Sequence, residues 1–268
     1  MERSPKAAAK FIEQARFVWH QRFELAPGVW TPGQNPISWL CQRAALPDDL
    51  SGQTVLDIGT TNAGTAFELE RRGAERVVAV DIFDPDWFGV RQLIDFLGSN
   101  VEYHRTSVYE LATRFSETFD VVIFWGVLYH LRHPLLALDN VRAVTRGYVS
   151  LESAVCDSEL SPDLRRASLA RFYRRDELSG DGSNWFAPTV AALEDWCSSA
   201  GFTVSRSSAW PEDHPQRAML ELAPTDGPAE FEKLSYERPL RCEVISDRRS
   251  SSSVWTLARR ASRAFRSS

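Results

Sequence analysis

The stretch that decides the fold is TVLDIGTTNAGTAFEL, residues 54–69. Its first half is apolar and β-branched, as in a buried strand, and the residues after Gly64 have helical periodicity. A strand that runs into a helix through a glycine-containing loop is the first unit of many nucleotide-binding α/β folds. This loop, however, carries Thr61 where such loops usually have their middle glycine.

The loop composition predicts the kind of ligand. The missing glycine is the one that lets the backbone approach a pyrophosphate, and Asp57, two residues before Gly59, would repel a phosphate. A ligand with a positive end fits better, and S-adenosylmethionine has both an ammonium and a sulfonium. We expect Asp57 to lie near these groups, Gly59 and Gly64 to keep the turn tight, and Asn62 to supply a further hydrogen bond.

The next acidic residue strengthens this interpretation. Asp81 ends the second predicted strand 24 residues after Asp57, where a carboxylate can accept hydrogen bonds from both ribose hydroxyls. After the third strand, Ser107 and the amide of Val108 are placed to meet the adenine edge. A plainer alternative treats the two acids as loop caps, but the agreement of the spacings favours a binding site.

Apolar, β-branched runs alternate with segments of helical periodicity along the chain. They lie at about 54–58, 76–81, 100–104, 119–126 and 147–154, followed by a helix over 188–200 and the strands FTVSRSS and RAMLELA. Gly73 marks the end of the first helix, and Asp84 with Pro85 marks the start of the second. The pattern predicts an α/β fold: a Rossmann-like, doubly wound, mostly parallel seven-stranded sheet with helices on both faces.

The flanking regions predict three parts. Residues 1–45 form an N-terminal helical cover, in which an amphipathic helix over 6–23 is followed by a loop and a second helix. Residues 46–224 form the main domain, with 156–187 as an insertion after a strand. Residues 225–268 form an extension whose tail carries six arginines and no acid from Arg248 onward, typical of a disordered basic segment with a short amphipathic helix.

Composition excludes several classes of protein. The chain has 268 residues and a net charge of -5, so it lacks the overall basic charge of a nucleic-acid-binding protein. It has four cysteines but no CxxC pair, no apolar signal-peptide stretch and no apolar run long enough to span a bilayer. These features predict a soluble cytoplasmic protein without a metal site.

Three stretches carry a family resemblance: WGVLYHLRHPLLAL, SLES and NWFAPTVAALEDWCSSAGF. They are similar to the class I S-adenosylmethionine-dependent methyltransferases, and in particular to the tRNA wobble-uridine (carboxy)methyltransferase group. The resemblance covers about Phe17 to Pro224. It implies that Tyr129 and Arg217 contact the cofactor or its carboxyl group, and that Trp125 and the region of Val108 flank the adenosine.

One departure from that group bears on the cofactor. The wobble-uridine enzymes carry lysines before the core that bind the extra carboxylate of carboxy-S-adenosylmethionine, whereas Phe11 to Leu50 contain no lysine here. Because a buried carboxylate without a partner is costly, the sequence favours plain S-adenosylmethionine. Those enzymes also have a longer N-terminal region for RNA.

The chemistry of methyl transfer points to candidate catalytic residues. The acceptor, methyl group and sulfur must be aligned, and a hydroxyl acceptor must lose its proton. His130 is the natural base near neutral pH, and Tyr129 or Glu152 would position the acceptor. A structural histidine is the alternative for His130. A metal site formed with His133 is disfavoured because no neighbouring cysteine or acid completes it.

Three functions remain open at this stage. The first is methylation of an oxygen or nitrogen atom of a small metabolite, sugar or natural product, enclosed by Trp30, Trp185 and Phe186. The second is tRNA modification, supported by the arginine-rich insertion and tail. The third is cofactor binding without catalysis. The sequence favours the small-molecule acceptor.

Overall fold

The computed structural model describes residues 4–225, and its N-terminal segment is only partly helical. Helix α1 (Pro5–Gln14) begins at Ser4, whose hydroxyl accepts a hydrogen bond from the Ala7 amide. It ends at Gln14, so the prediction of a helix over 6–23 is wrong beyond that residue. The reason is tertiary: the backbone from Val18 onward is extended and bonds to other parts of the chain instead of to itself.

The rest of the N-terminal cover contains short strands as well as one helix. Its elements are β1 (Gln21–Arg22), β2 (Glu24–Ala26), β3 (Val29–Trp30), β4 (Asn35–Pro36) and α2 (Ile37–Arg43). β1 pairs in parallel with β4, and β2 pairs antiparallel with β3. The cover thus has a helix at each end as predicted, but short strands occupy the predicted loop between them and the end of the predicted first helix.

The main domain alternates strands and helices. Its elements are β5 (Thr54–Ile58), α3 (Gly64–Arg71), β6 (Arg76–Asp81), α4 (Val90–Leu97), β7 (Glu102–Arg105), α5 (Leu111–Arg114), β8 (Phe119–Trp125), α6 (Pro134–Ala143), β9 (Thr145–Ala154), α7 (Pro162–Arg165), β10 (Ala170–Phe172), β11 (Phe186–Pro188), α8 (Val190–Ser199), β12 (Phe202–Trp210) and β13 (Arg217–Pro224).

Seven of these strands form one sheet in the order β12-β13-β9-β8-β5-β6-β7. Strands β5 to β9 are parallel, and β13 is antiparallel to both β9 and β12. The predicted mostly parallel, seven-stranded sheet is confirmed. The strand order reverses between β5 and β8, and in such sheets the crevice outside the carboxyl ends at that point is where ligands bind.

Helices cover both faces of the sheet, as predicted. Alternate residues of β8 belong to different cores: Val121 and Ile123 face the core shared with the N-terminal segment, α3 and α4. Val122 and Phe124 face the core shared with α5, α6 and α8. A parallel strand buried on both faces is apolar at nearly every position, which explains the continuous apolar run of this strand.

One helix start differs from the prediction, and one helix end agrees with it. Helix α4 begins at Val90 and not at Asp84, because residues 84–89 form turns and Gly89 has a left-handed φ of 67° against the ring of Phe17. Helix α3 ends at Arg71, and Gly73 follows it with a φ of 86°, as its position in the sequence indicates.

The insertion, residues 156–187, follows β9 at the carboxyl edge of the sheet. It contains a 3₁₀ turn (Asp157–Glu159), α7 and β10, which pairs antiparallel with β11. The predictions for the basic tail, including its amphipathic helix, concern residues outside the described ones. Across residues 4–225, no helix is both long and apolar enough to cross a bilayer.

Candidate functional site

A cavity of about 670 Å³ opens at the carboxyl ends of the parallel strands, beside the strand-order reversal. Ten of the twelve residues predicted to bind the cofactor or to act in catalysis line it: Asp57, Gly59, Asp81, Ser107, Val108, Trp125, Tyr129, His130, Glu152 and Arg217. The two that do not are Asn62 and Gly64. Residues from distant parts of the chain thus meet around one space large enough for a small ligand.

The loop after β5 has an unusual backbone. Gly59, Thr61 and Ala63 all have positive φ values, of 79°, 45° and 59°. A Cβ at Gly59 would collide with Val127, so this glycine is required by both conformation and space. Thr61 is β-branched and left-handed, which is rare and strained. Its hydroxyl is buried without a hydrogen-bond partner in the described chain, although the residue lines the cavity.

Asn62 does not line the cavity, and its side chain bonds to the backbone of other segments instead of facing a ligand as predicted. Its Oδ1 accepts hydrogen bonds from the amides of His20 (2.7 Å) and Gln21 (2.9 Å). Its Nδ2 donates to the carbonyls of Val18 (2.8 Å) and Phe88 (2.7 Å). Because the amide is fully buried and these four bonds satisfy it, Asn62 ties the N-terminal segment to the loop instead of facing the cavity.

Gly64 is also occupied by the N-terminal segment. Its amide donates to Gln21 Oε1 at 2.7 Å, and a Cβ here would collide with the ring of Phe23. Gly64, predicted to keep the turn tight, does not line the cavity, and its small size lets the N-terminal segment pack on the start of α3.

Asp57 is a deeply buried acid of the site. It is 3% exposed, and Thr60 Oγ1 donates to its Oδ2 at 2.6 Å. Burial, opposed by the Thr60 bond and assisted by the nearby Asp81, raises the pKa of Asp57 to about 7. A positively charged group placed in this cavity would stabilise the ionised carboxylate and would itself be attracted.

Asp81 lies at the end of β6 and organises the turn around it. Its Oδ2 accepts from the Thr61 amide at 2.9 Å, and its Oδ1 accepts from the amides of Ile82 (2.7 Å) and Phe83 (3.4 Å). Burial raises the pKa of Asp81, and these amide bonds lower it. Among the described residues, Oδ2 accepts only the Thr61 amide and keeps a second lone pair, so a ribose hydroxyl can still bind here.

Replacing Asp81 with asparagine is expected to weaken the binding of S-adenosylhomocysteine by about 10- to 100-fold, which corresponds to the loss of one charged hydrogen bond. Asparagine keeps one acceptor for the Ile82 and Phe83 amides but leaves the Thr61 amide without its partner, so a modest fall in the melting temperature without loss of the fold is expected. Isothermal titration calorimetry measures the affinity. The matched control is Asp84→Asn, an exposed acid outside the cavity. Equal affinities for Asp81→Asn and wild type would rule out the ribose assignment.

His20 is a site residue that the sequence analysis missed. It lines the cavity because Asn62 holds its backbone amide, and burial lowers its pKa while Asp81 opposes this shift. No local pattern marks it, since the sequence predicts a helix at this point.

Ser107, Val108 and Trp125 form another wall of the cavity. Ser107 caps the 3₁₀ helix Val108–Glu110 by accepting from the Tyr109 amide. The first amides of a helix have no partner within it, so the Val108 N–H is available to an acceptor such as an adenine nitrogen. The indole N–H of Trp125 donates to Ser150 at 2.9 Å, which leaves the ring as an apolar surface.

At the other end, Glu152 and Arg217 form a bidentate ion pair. Arg217 donates from Nε and Nη2 to the two oxygens of Glu152, at 2.6 and 2.7 Å. The guanidinium carbon lies 4.8 Å from the centre of the Tyr129 ring. Burial acts to lower the pKa of Arg217, but Glu152 outweighs it and the pKa is raised. The charge of Arg217 is therefore already balanced by Glu152. The resemblance implies that the same arginine contacts the cofactor or its carboxyl group.

His130 lies near this pair and contacts the insertion. Its Nδ1 is 2.9 Å from the hydroxyl of Ser183, which is 2.7 Å from Oδ1 of Asp181. Burial lowers the pKa of His130, so the imidazole is neutral near pH 7. In residues 4–225, no three histidine, cysteine or acidic residues are grouped as metal ligands.

The aromatic residues at the cavity are different from those predicted. Trp30, Trp185 and Phe186 are absent from its lining, whereas Trp39 and Trp210 are part of it. These two rings pack edge to face at 5.4 Å. The prediction is wrong because Trp185 and Phe186 pack instead against Phe172 in the small hairpin of the insertion.

The chain is similar to known methyltransferases. A family model described as a methyltransferase domain matches residues 19–207. The tRNA U34 carboxymethyltransferase of Azotobacter vinelandii is 32% identical over 189 residues, which cover 69% of this chain and 56% of that protein. The enzyme of the same name from Ectopseudomonas mendocina is 30% identical over 207 residues, covering 74% and 59%. The chain thus spans a little over half the length of these relatives.

Solved structures share the fold at lower identity. The N-terminal domain of EvdMO1 with S-adenosylhomocysteine bound has a TM-score of 0.59 at 17% identity, covering 84% of this chain and 98% of that one. The Burkholderia thailandensis 1,6-didemethyltoxoflavin-N1-methyltransferase has a TM-score of 0.51 at 21% identity, covering 71% and 76%. Together with the matching family model, the sheet and the cavity at its carboxyl edge lead to one conclusion. The chain belongs to the class I S-adenosylmethionine-dependent methyltransferases.

Proposed function

We propose that the cavity binds S-adenosylmethionine with the ribose at Asp81, the adenine beside Ser107 and Val108, and the positive end towards Asp57. The cofactor would supply an electrophilic methyl group. The observation that carries this proposal is the charge of the wall. Among the described residues that line the cavity are four carboxylates, two histidines and one arginine: Asp57, Asp81, Glu152, Asp181, His20, His130 and Arg217. Such a wall attracts a cation.

The same charges favour plain S-adenosylmethionine over its carboxylated form. The extra carboxylate would need a free cation. Arg217, the one arginine among the described residues of the wall, already donates two hydrogen bonds to Glu152. Separating Arg217 from Glu152 would leave a buried carboxylate unpaired, which is costly. The segment from Phe11 to Leu50 has no lysine, and its arginines, Arg16, Arg22 and Arg43, are not among the residues that line the cavity.

A competition titration tests this preference. We expect S-adenosylmethionine to bind more tightly than carboxy-S-adenosylmethionine by roughly 1–3 kcal/mol, the cost of an unpaired buried polar group. Glu152→Gln releases the charge of Arg217 and should narrow or reverse the difference. Glu221→Gln, which removes an acid paired with Arg206 away from the cavity, is the matched control. Tighter binding of the carboxylated form by the wild type would overturn the assignment.

For the acceptor, the relatives support a tRNA uridine over the small metabolite that the sequence analysis favours. The relatives named above are tRNA U34 carboxymethyltransferases. Trp39, which is 41% exposed, lies beside Trp210 at the mouth of the cavity. The guanidinium carbon of Arg43 is 5.1 Å from the centre of the Trp39 ring and 4.2 Å from that of the Trp210 ring. Aromatic and guanidinium planes are surfaces on which an unstacked base can stack.

Methyl-labelled S-adenosylmethionine, offered with bulk tRNA or with a small-metabolite extract, identifies the acceptor. We expect the label in tRNA, where digestion and mass spectrometry locate the modified nucleoside. Asp81→Asn serves as the cofactor-deficient control. Label that appears only in the metabolite fraction would replace the tRNA assignment with the small-molecule one.

A further inference from the structure

The contact between His130 and the insertion determines where the imidazole carries its proton. Ser183 has a single hydroxyl proton, and its oxygen lies 2.7 Å from Asp181 Oδ1 and 2.9 Å from His130 Nδ1. The same Oδ1 accepts the Ser183 amide at 2.9 Å. An ionised carboxylate has no proton to donate, so the hydroxyl proton of Ser183 points towards Asp181.

The other side of Ser183 must then accept a hydrogen bond. Its donor is the N–H at Nδ1 of His130, which leaves Nε2 without a proton. The side-chain hydrogen bond of His130 is the one at Nδ1, and the residue lines the cavity. A backbone hydrogen bond with Ser183 also acts to raise the pKa of the ring. The unprotonated nitrogen is thus available to a group inside the cavity.

We propose that Asp181 and Ser183 are positioning residues that hold His130 in the Nδ1–H form, so that Nε2 takes the proton of the methyl acceptor. This inference rests on the proposed methyl transfer. An acceptor oxygen or nitrogen forms its bond to the methyl carbon as the carbon–sulfur bond breaks, and the bonding pair stays on sulfur. The acceptor proton passes to Nε2, and Asp181 stabilises the resulting imidazolium through Ser183.

This arrangement gives the insertion a defined role. Asp181 and Ser183 both lie between β10 and β11, outside the alternating strands and helices of the main domain. Both are exposed at the rim of the cavity, so replacing them should not disturb the core. The burial that lowers the pKa of His130 keeps the ring neutral, as a proton acceptor requires.

Nitrogen NMR of protein labelled with ¹⁵N-histidine tests the inference without cofactor or acceptor. At about pH 8, where an unperturbed histidine is neutral, we expect the His130 proton on Nδ1. Comparison with His130→Gln assigns the signals. Ser183→Ala should move the proton to Nε2, and Ser183→Thr, which keeps the hydroxyl, should leave it on Nδ1. The matched control is Ser205→Ala. The Ser205 hydroxyl donates to the backbone carbonyl of Glu221, between β12 and β13.

The outcomes separate this inference from the proposed function. If the wild-type proton is on Nε2, or if Ser183→Ala does not move it, the positioning of His130 by Ser183 and Asp181 is overturned even if the enzyme methylates tRNA. If the proton is on Nδ1 and moves as expected but tRNA takes no label, only the acceptor assignment fails. Once the acceptor is identified, Ser183→Ala should lower kcat and leave the KM for the cofactor unchanged. The loss should not exceed the roughly 10²–10⁴-fold rate enhancement that a general base contributes. Ser183→Thr should restore kcat.

Discussion

Asn62→Ala is expected to lower the free energy of unfolding by about 3–5 kcal/mol, because it leaves one buried and three partly buried backbone groups without their partner. Those groups are the amides of His20 and Gln21 and the carbonyls of Val18 and Phe88. Urea denaturation measures the loss. Hydrogen exchange should show that the His20 and Gln21 amides lose protection first, since the variant detaches the N-terminal segment from the loop.

Asn140→Ala is the matched control for this variant. Asn140 is also largely buried, but it makes two bonds, to the Ala112 amide and the Leu136 carbonyl. Its loss should therefore be roughly half as large, and exchange at His20 should not change. Equal losses in the two variants would show that Asn62 has no special role in holding the cover. Weaker cofactor binding is expected only for Asn62→Ala, because His20 leaves the cavity wall.

Asp57→Asn is expected to have opposite effects on stability and binding. At pH 8 the variant should be more stable than the wild type by on the order of 2–4 kcal/mol, because an ionised carboxylate is no longer buried. Asparagine can still accept the bond from Thr60. Binding of S-adenosylmethionine should fall by about tenfold or more, because the carboxylate that attracts its positive end is gone.

The raised pKa of Asp57 determines how the stability difference between Asp57→Asn and the wild type changes with pH. The pKa of Asp57 is raised from its ordinary 3.8 to about 7, so its favourable contribution is complete below 3.8 and is lost as the pH rises to about 7. The stability gained by Asp57→Asn should therefore grow between those pH values and stay constant above them. Thermal melts from pH 4 to 8 measure it. A variant that is less stable than the wild type at pH 8 would contradict the burial argument.

Asp120→Asn is the matched control with the opposite sign. Arg146 lowers the pKa of Asp120 to about 2, so its stabilising contribution is present above 3.8 and is lost as the pH falls. This variant should be less stable than the wild type at pH 8. Because Asp120 lies outside the cavity, cofactor binding should be unchanged.

The sequence alone determined the central sheet and the position of its ligand edge. Strands β5 and β6 have the predicted bounds, because their apolar residues and the turn residues after them are local signals. Asp57, Gly59 and Asp81 could be selected in the same way. The carboxyl ends of parallel strands lie at one edge of the sheet, so residues that follow different strands must come close together there.

Only the tertiary structure decided what the side chains around that edge do. Asn62 and Gly64 hold the N-terminal segment, and this segment brings His20 into the cavity. Arg217 pairs with Glu152, 65 residues away. Such contacts depend on how distant segments pack, and spacing along the chain carries no information about them. The extended backbone after Gln14 shows the same physics, since hydrogen bonds to Asn62 outweigh a local helical preference.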